Sequence, residues 1–205
     1  MKTDFKLFLV TDRKLVPARG LVEAVAAAVK GGVDAVVLRE KNLGGRELYE
    51  LGKALQEKIK GRAELMINDR LDVALALNAG VHLPGSGLAA GDARRLMGPE
   101  GLVGVSTHHI HEVRQAESEG ADYVFFGPVY ETGSKKEFGG PQGLSKLQQA
   151  AVSTSLPVFA VGGVNPERAR QCLAQGARGV AFISFVLSDP DPEEAALRMK
   201  DAVSG

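Results

Sequence analysis

The strongest constraint on this chain is an alternation that persists from one end to the other. Short apolar or β-branched runs occur at Leu7–Thr11, Ala35–Arg39, Glu64–Asn68 and Gly80–Leu83, and again at Leu102–Ser106, Tyr123–Gly127, Pro157–Val161 and Gly179–Ile183. Amphipathic stretches separate them, near Leu21–Lys30, Gly45–Lys60, Leu71–Asn78, Ala90–Met97, His111–Glu119, Leu144–Val152, Pro166–Ala174 and Pro192–Val203. Strands alternating with crossover helices specify parallel β/α units. Eight units in 205 residues point to a closed (β/α)8 TIM barrel with few insertions, a single domain over residues 1–205. The alternative, an open doubly wound sheet, needs fewer strands and usually a glycine-rich turn after the first. Here the first run ends in Thr11-Asp12-Arg13.

An internal echo supports the count. Gly32-Val33-Asp34-Ala35-Val36, Gly120-Ala121-Asp122-Tyr123-Val124 and Gly176-Ala177-Arg178-Gly179-Val180 each join a helix to a strand. Glycine at that junction suits a left-handed helix cap.

Composition narrows the partners. The 25 basic and 25 acidic residues cancel, and no block of like charge marks a nucleic-acid surface. No apolar run approaches the roughly 20 residues of a membrane helix. The N-terminus does not resemble a signal peptide, so a cytoplasmic protein is expected. The one cysteine, Cys172, reads as a small buried hydrophobe. No His/Cys cluster has metal-ligand spacing. A barrel this small is a candidate for association through its helices.

In a barrel the reactive loops follow the carboxyl ends of the strands, which selects residues before any chemistry is assumed. The second run ends in Arg39-Glu40-Lys41, where alternation would send the two cations to one side; a solvated charge run is the plainer reading. The third ends in Asn68-Asp69-Arg70: Asn68 suits a phosphate oxygen, and Asp69 suits Mg²⁺, unless both merely cap the next helix. His82 ends the fourth, either a satisfied structural imidazole or a substrate contact. Ser106-Thr107-His108-His109 ends the fifth and either meets a phosphate or starts a helix. The long segment Gly127–Pro141 carries Thr132, Ser134 and Lys135 and reads as a lid. Gly162-Gly163 and Ile183-Ser184 end the last two runs, where barrels commonly seat a phosphate on backbone amides.

Taken in order, Leu7–Asp12, Leu38–Lys41, Ile67–Arg70, Gly104–His108, Gly120–Val124, Gly127–Lys135 and Ala160–Val164 resemble the thiamine-phosphate synthase/TenI family over essentially the whole chain. The synthase branch joins hydroxymethylpyrimidine pyrophosphate to thiazole phosphate, releasing pyrophosphate. The resemblance implies that Arg39, Lys41, Asn68, Ser106 and Lys135 hold pyrophosphate and Asp69 holds Mg²⁺. It places His82 near the pyrimidine and Thr132, Ser134, Gly163 and Ser184 near the thiazole phosphate.

Two positions depart from the synthase pattern. Val37 stands where a glutamine precedes Leu-Arg-Glu-Lys, and Gly87 stands where a second acidic metal ligand is found. The His82-Leu83-Pro84 run is similar instead to the TenI branch, which isomerises a thiazole carboxylate phosphate. That branch uses a histidine after the glycine of the sixth strand, where this chain has Pro128. A noncatalytic binder of thiazole or thiamine phosphate is the reading from a third class.

Overall fold

A computed structural model of the chain describes residues 4–16, 18, 20–132 and 140–204. The first half runs β1 (Leu7–Val10), α1 (Leu21–Lys30), β2 (Ala35–Leu38), α2 (Gly45–Ile59), β3 (Glu64–Asn68), α3 (Leu71–Leu77), β4 (Gly80–Leu83) and α4 (Ala90–Met97). The second runs β5 (Val103–Thr107), α5 (Ile110–Ser118), β6 (Tyr123–Phe126), α6 (Gly143–Val152), β7 (Val158–Val161), α7 (Pro166–Ala174), β8 (Gly179–Phe182), α8 (Ser184–Leu187) and α9 (Pro192–Val203). All strands are parallel, and β8 pairs with β1 to close the barrel.

Closure gives every strand two buried faces, and the period-two alternation sorts the side chains between them. One set fills the barrel: Phe8, Val10, Ala35, Val37, Met66, Tyr123, Phe125, Phe159 and Ala181. The alternate residues, such as Leu9, Val36, Leu38, Ile67, Val81, Val124 and Val180, pack outward under the helices. Phe8 anchors the interior, with ring centroids of Tyr123, Phe125 and Phe159 at 4.9, 5.0 and 4.7 Å. Burying each such side chain stabilises the fold by roughly 1.5–3 kcal/mol, so the barrel is a packed core and not a pore.

The echo has a structural purpose. Gly32, Gly120 and Gly176 all have positive φ, at 107, 82 and 89°, a region open to glycine at little cost. In two of the three copies, the following aspartate ties down the start of the preceding strand. Asp34 Oδ2 accepts from the amides of Lys6 and Leu7 at 2.7 and 2.8 Å. Asp122 Oδ2 accepts from the Val103 amide at 2.8 Å and from Arg94. In the third copy Arg178 replaces the acid and pairs with Asp4.

Most sequence-derived bounds differ from the structure by a residue at an end. β5 begins at Val103 rather than Leu102, because Asp122 captures the Val103 amide there. Two short elements have no periodicity to announce them, the 3-10 turn Arg13–Leu15 and the four-residue α8. Cys172 is fully buried, and burial pushes its thiol up to about 11, in keeping with a packing role.

Gly104 faces the interior at a point of contact: a Cβ there would sit 2.1 Å from Tyr123 Cζ. Gly104→Ala should therefore lower unfolding stability by about 1–3 kcal/mol through overpacking, measured by urea denaturation. An unchanged midpoint would contradict the packing described.

Glu40 lies on the outward face of the β2 end and is 6% exposed. It accepts from the Thr11 hydroxyl at 2.8 Å and from the Arg13 amide at 3.0 Å. Desolvation nevertheless raises its pKa above the ordinary carboxylate value, against those lowering contacts. The folded state therefore holds a proton that the unfolded chain has already released, so stability falls as pH rises from the unfolded value through the folded one. Glu40→Gln should flatten that part of the pH–stability curve; an unaltered slope would contradict the assignment.

Candidate active site

Eight of the candidate residues are placed by the sheet itself. Val37 lies in the interior, so Arg39, two residues on, emerges from the same face at the carboxyl rim. Met66 places Asn68 in the same way, and the register sets Asn68 beside His82. Leu102 packs on the interior, which sends Gly104 and then Ser106 inward. The contact between His82 Nε2 and Ser106 Oγ, at 2.8 Å, shows that these two meet. Across the mouth, Val161 and Ile183 pack on the interior cluster, and Gly162, Gly163 and Ser184 follow them at the rim.

The cation side of the mouth is built from groups with few competing partners. Arg39 is partly buried, and its backbone amide is fixed by the Thr11 hydroxyl at 2.9 Å. Among the described residues its guanidinium makes no ion pair. Glu40 does not neutralise it, because that carboxylate turns to Thr11 and Arg13. β2 ends at Leu38, and a turn follows in which the Leu43 amide donates to the Glu40 carbonyl. Strand alternation therefore stops before Lys41, which is exposed in that turn. The Asn68 side chain has no hydrogen-bond partner among the described residues.

Asp69 is exposed and adopts φ 67°, a strained region for a residue with a side chain. Its amide donates to the His82 carbonyl at 2.9 Å. A Cβ built on Gly87 would lie 3.0 Å from Asp69 Oδ1, so position 87 adjoins the carboxylate. No group of three or more His, Cys, Asp or Glu suited to a metal occurs among the described residues. The donor set, one accessible carboxylate, fits a hard cation that completes its shell with substrate phosphate oxygens and water.

The opposite side of the mouth is backbone. Gly162 and Gly163 have φ 96 and 66°, and the β6 loop crosses directly over them. The amides of Val129 and Tyr130 donate to the carbonyls of Val161 and Gly162 at 2.8 and 3.1 Å. A Cβ on Gly163 would lie 2.7 Å from the Glu131 carbonyl oxygen. The Gly163 and Ser184 amides donate to no acceptor among the described residues, and Ser184 opens α8, exposed. Behind these glycines, Arg168 donates to the Gly163 carbonyl at 2.6 Å and stacks over Tyr130 at 4.6 Å. Sequence reasoning passed over Arg168 because it lies inside α7 rather than at a strand end. Thr132 is partly buried at the start of the long loop, whereas Ser134 and Lys135 lie outside the described residues.

Three neighbours of Ser106 serve the scaffold. The Thr107 hydroxyl donates to the Phe125 carbonyl at 2.9 Å, His108 Nδ1 meets the Gly127 carbonyl, and the His109 amide donates to Glu112 at 3.0 Å to start α5. His82 is 2% exposed, with both ring nitrogens engaged by Tyr123 and Ser106. Two surface cavities of about 410 and 540 Å³ lie at the opposite rim and contain none of these residues.

A family profile described as thiamine monophosphate synthase matches residues 7–186. The chain is 46% identical over 198 residues to a putative thiamine-phosphate synthase of Geobacter sulfurreducens, covering 95% of this chain and 92% of that one. It is 42% identical over 200 residues to the thiamine-phosphate synthase of Moorella thermoacetica, covering 97% and 95%. Among solved structures, a thiamine phosphate pyrophosphorylase from Pyrococcus furiosus superposes with a TM-score of 0.89 at 35% identity, covering 99% of this chain and 97% of that one. With the barrel, the ordered strand ends and these relatives in agreement, the chain belongs to the thiamine monophosphate synthase family.

Proposed function

We propose that the protein is a thiamine-phosphate synthase, a transferase that joins hydroxymethylpyrimidine pyrophosphate to thiazole phosphate and releases pyrophosphate. The observation that carries this reading is one rim with two unlike sides. Arg39, Asn68 and Ser106 emerge inward on one side; glycine backbone and Ser184 form the other. A cytoplasmic setting accords with the absence, among the described residues, of any helix long and apolar enough to cross a membrane.

The chemistry asked of these groups is electrostatic. The bond between the pyrimidine methylene carbon and the pyrophosphate oxygen breaks with its electron pair leaving on oxygen. Arg39, Lys41 and, from the long loop, Lys135 stabilise that developing charge, with hydrogen bonds from Asn68 and Ser106. The electron-rich pyrimidine carries the resulting cation, and the thiazole nitrogen donates its lone pair to the methylene carbon. Gly163, Ser184, Thr132 and Ser134 hold the thiazole by its phosphate and set its approach. Asp69 would hold Mg²⁺, which when bound supplies further positive charge to the departing pyrophosphate. Val37 makes the wall beneath Arg39 apolar, so pyrimidine recognition here relies on other contacts.

With both half-molecules and Mg²⁺ saturating, the purified protein should form thiamine phosphate and pyrophosphate. Arg39→Ala should lower kcat/KM at least about a hundredfold, in the range of losing one donor to developing charge, with the melting temperature little changed. Thiazole phosphate isomerisation without coupling would point to the tautomerase, and tight binding without either reaction to a regulatory binder.

Position 87 gives an independent check on the metal. Gly87→Asp, which sets a second carboxylate beside Asp69, should lower the Mg²⁺ concentration needed for half-maximal turnover, while Asp69→Asn should raise it. A Mg²⁺ dependence indifferent to both would remove Asp69 from that role.

A further inference from the structure

Three strands bring a connected set of groups up through the barrel wall. Gly104 on β5 leaves room for the ring of Tyr123 on β6: a Cβ at 104 would stand 2.4 Å from the Tyr123 hydroxyl oxygen. That hydroxyl lies 3.2 Å from His82 Nδ1, and His82 Nε2 lies 2.8 Å from Ser106 Oγ at the mouth. Tyr123 is wholly buried, His82 nearly so, and Ser106 partly open.

Hydrogen-bond capacity assigns a direction to this set. A buried phenol must place its hydrogen on an acceptor, and the one acceptor the described residues give Tyr123 is His82 Nδ1. Tyr123 therefore donates to Nδ1. A neutral imidazole with Nδ1 accepting carries its hydrogen on Nε2, so His82 donates to Ser106 Oγ. Ser106 then receives a hydrogen bond from within the wall and has its own hydrogen to give. No other protein partner for that hydroxyl occurs among the described residues. The reverse polarity would leave the Tyr123 hydroxyl donating to nothing, at a cost of about 1–3 kcal/mol for a buried unsatisfied donor.

We propose that His82 is a positioning residue, held by Tyr123 in the Nε2–H tautomer so that the Ser106 hydroxyl is fixed as a hydrogen-bond donor toward an anion in the barrel mouth. The anion is the pyrophosphate group of the proposed function, and the inference rests on that reading for its ligand but not for its geometry. A serine free to rotate offers a phosphate either a hydrogen or a lone pair; here one lone pair is already taken by His82, and an anion, which only accepts, meets the hydrogen. Charge-assisted hydrogen bonds of this kind are the strong ones, which makes the polarity of the relay a determinant of affinity.

The test combines a spectroscopic reading with a binding one. Long-range ¹H–¹⁵N correlation spectra of the ¹⁵N-histidine protein, with His82 assigned by its loss in His82→Gln, should show the Nε2–H tautomer. Tyr123→Phe, which keeps the ring, should abolish that single-tautomer signature. It should also weaken inorganic pyrophosphate binding, measured calorimetrically, by roughly tenfold, the scale of one hydrogen bond to a charged group. His82→Leu should weaken it at least as much, and His82→Gln, whose amide can donate to Ser106, should restore most of the affinity. In a Ser106→Ala background Tyr123→Phe should have no further effect. An Nδ1–H tautomer in the wild type, or wild-type pyrophosphate affinity in folded Tyr123→Phe, overturns the proposal. Failure of the unsubstituted protein to bind pyrophosphate would instead remove the anion reading, and the tautomer spectrum alone would then decide the relay.

Discussion

Closure of an eight-stranded parallel sheet is the constraint from which the site follows. Each strand is fixed in register on both sides, so a side chain that faces inward at one level forces the residue two positions later to face inward one level higher. Val37 beneath Arg39, Met66 beneath Asn68, Gly80 beneath His82 and Gly104 beneath Ser106 are four instances of one rule. A one-residue slip in any of these strands would turn its polar group out into the helical layer. The packed floor of Phe8, Tyr123, Phe125 and Phe159 makes that slip costly, which is how an apolar core enforces the placement of groups that do not belong to it.

Much of this is legible in the sequence because the barrel repeats itself. Eight apolar runs, the glycine echo before three of them and the aspartate that follows it in two are statements about geometry that physics makes local: period two for strands, positive φ for the helix ends, an acid to tie the neighbouring strand start. Legibility fails where the period fails. The turn after β2 takes Lys41 out of the alternation that governs Arg39, and nothing in Arg39-Glu40-Lys41 announces that Glu40 will turn to Thr11 and Arg13. Arg168 lies within a helix whose pattern only asks for a polar residue. The roles of His82 and Ser106 depend on Tyr123, a residue 41 positions from His82 in the chain, and such a contact has no local sequence signature.

The two departures from the synthase pattern sit at chemically meaningful points. Val37 lies one layer below Arg39 and makes that part of the interior wall apolar. Gly87 lies against the Asp69 carboxylate, where an acid would have doubled the negative charge offered to a cation. With one carboxylate in place of two, a Mg²⁺ held there as proposed would take more of its ligands from substrate oxygens and water. In the proposed reaction, more of the leaving-group stabilisation would then fall to Arg39, Lys41 and Lys135. The strained backbone at Asp69, held by its bond to the His82 carbonyl, keeps that single carboxylate accessible at the rim.

The proposed function needs two separate anion seats that face each other across a single mouth. Calorimetric titration of thiazole phosphate into the protein, alone and presaturated with Mg²⁺ and inorganic pyrophosphate, tests it most directly. One equivalent of thiazole phosphate is expected in both titrations, with both ligands bound at once and affinity no more than modestly changed by the first. Displacement of one ligand by the other would show a single shared seat in place of two.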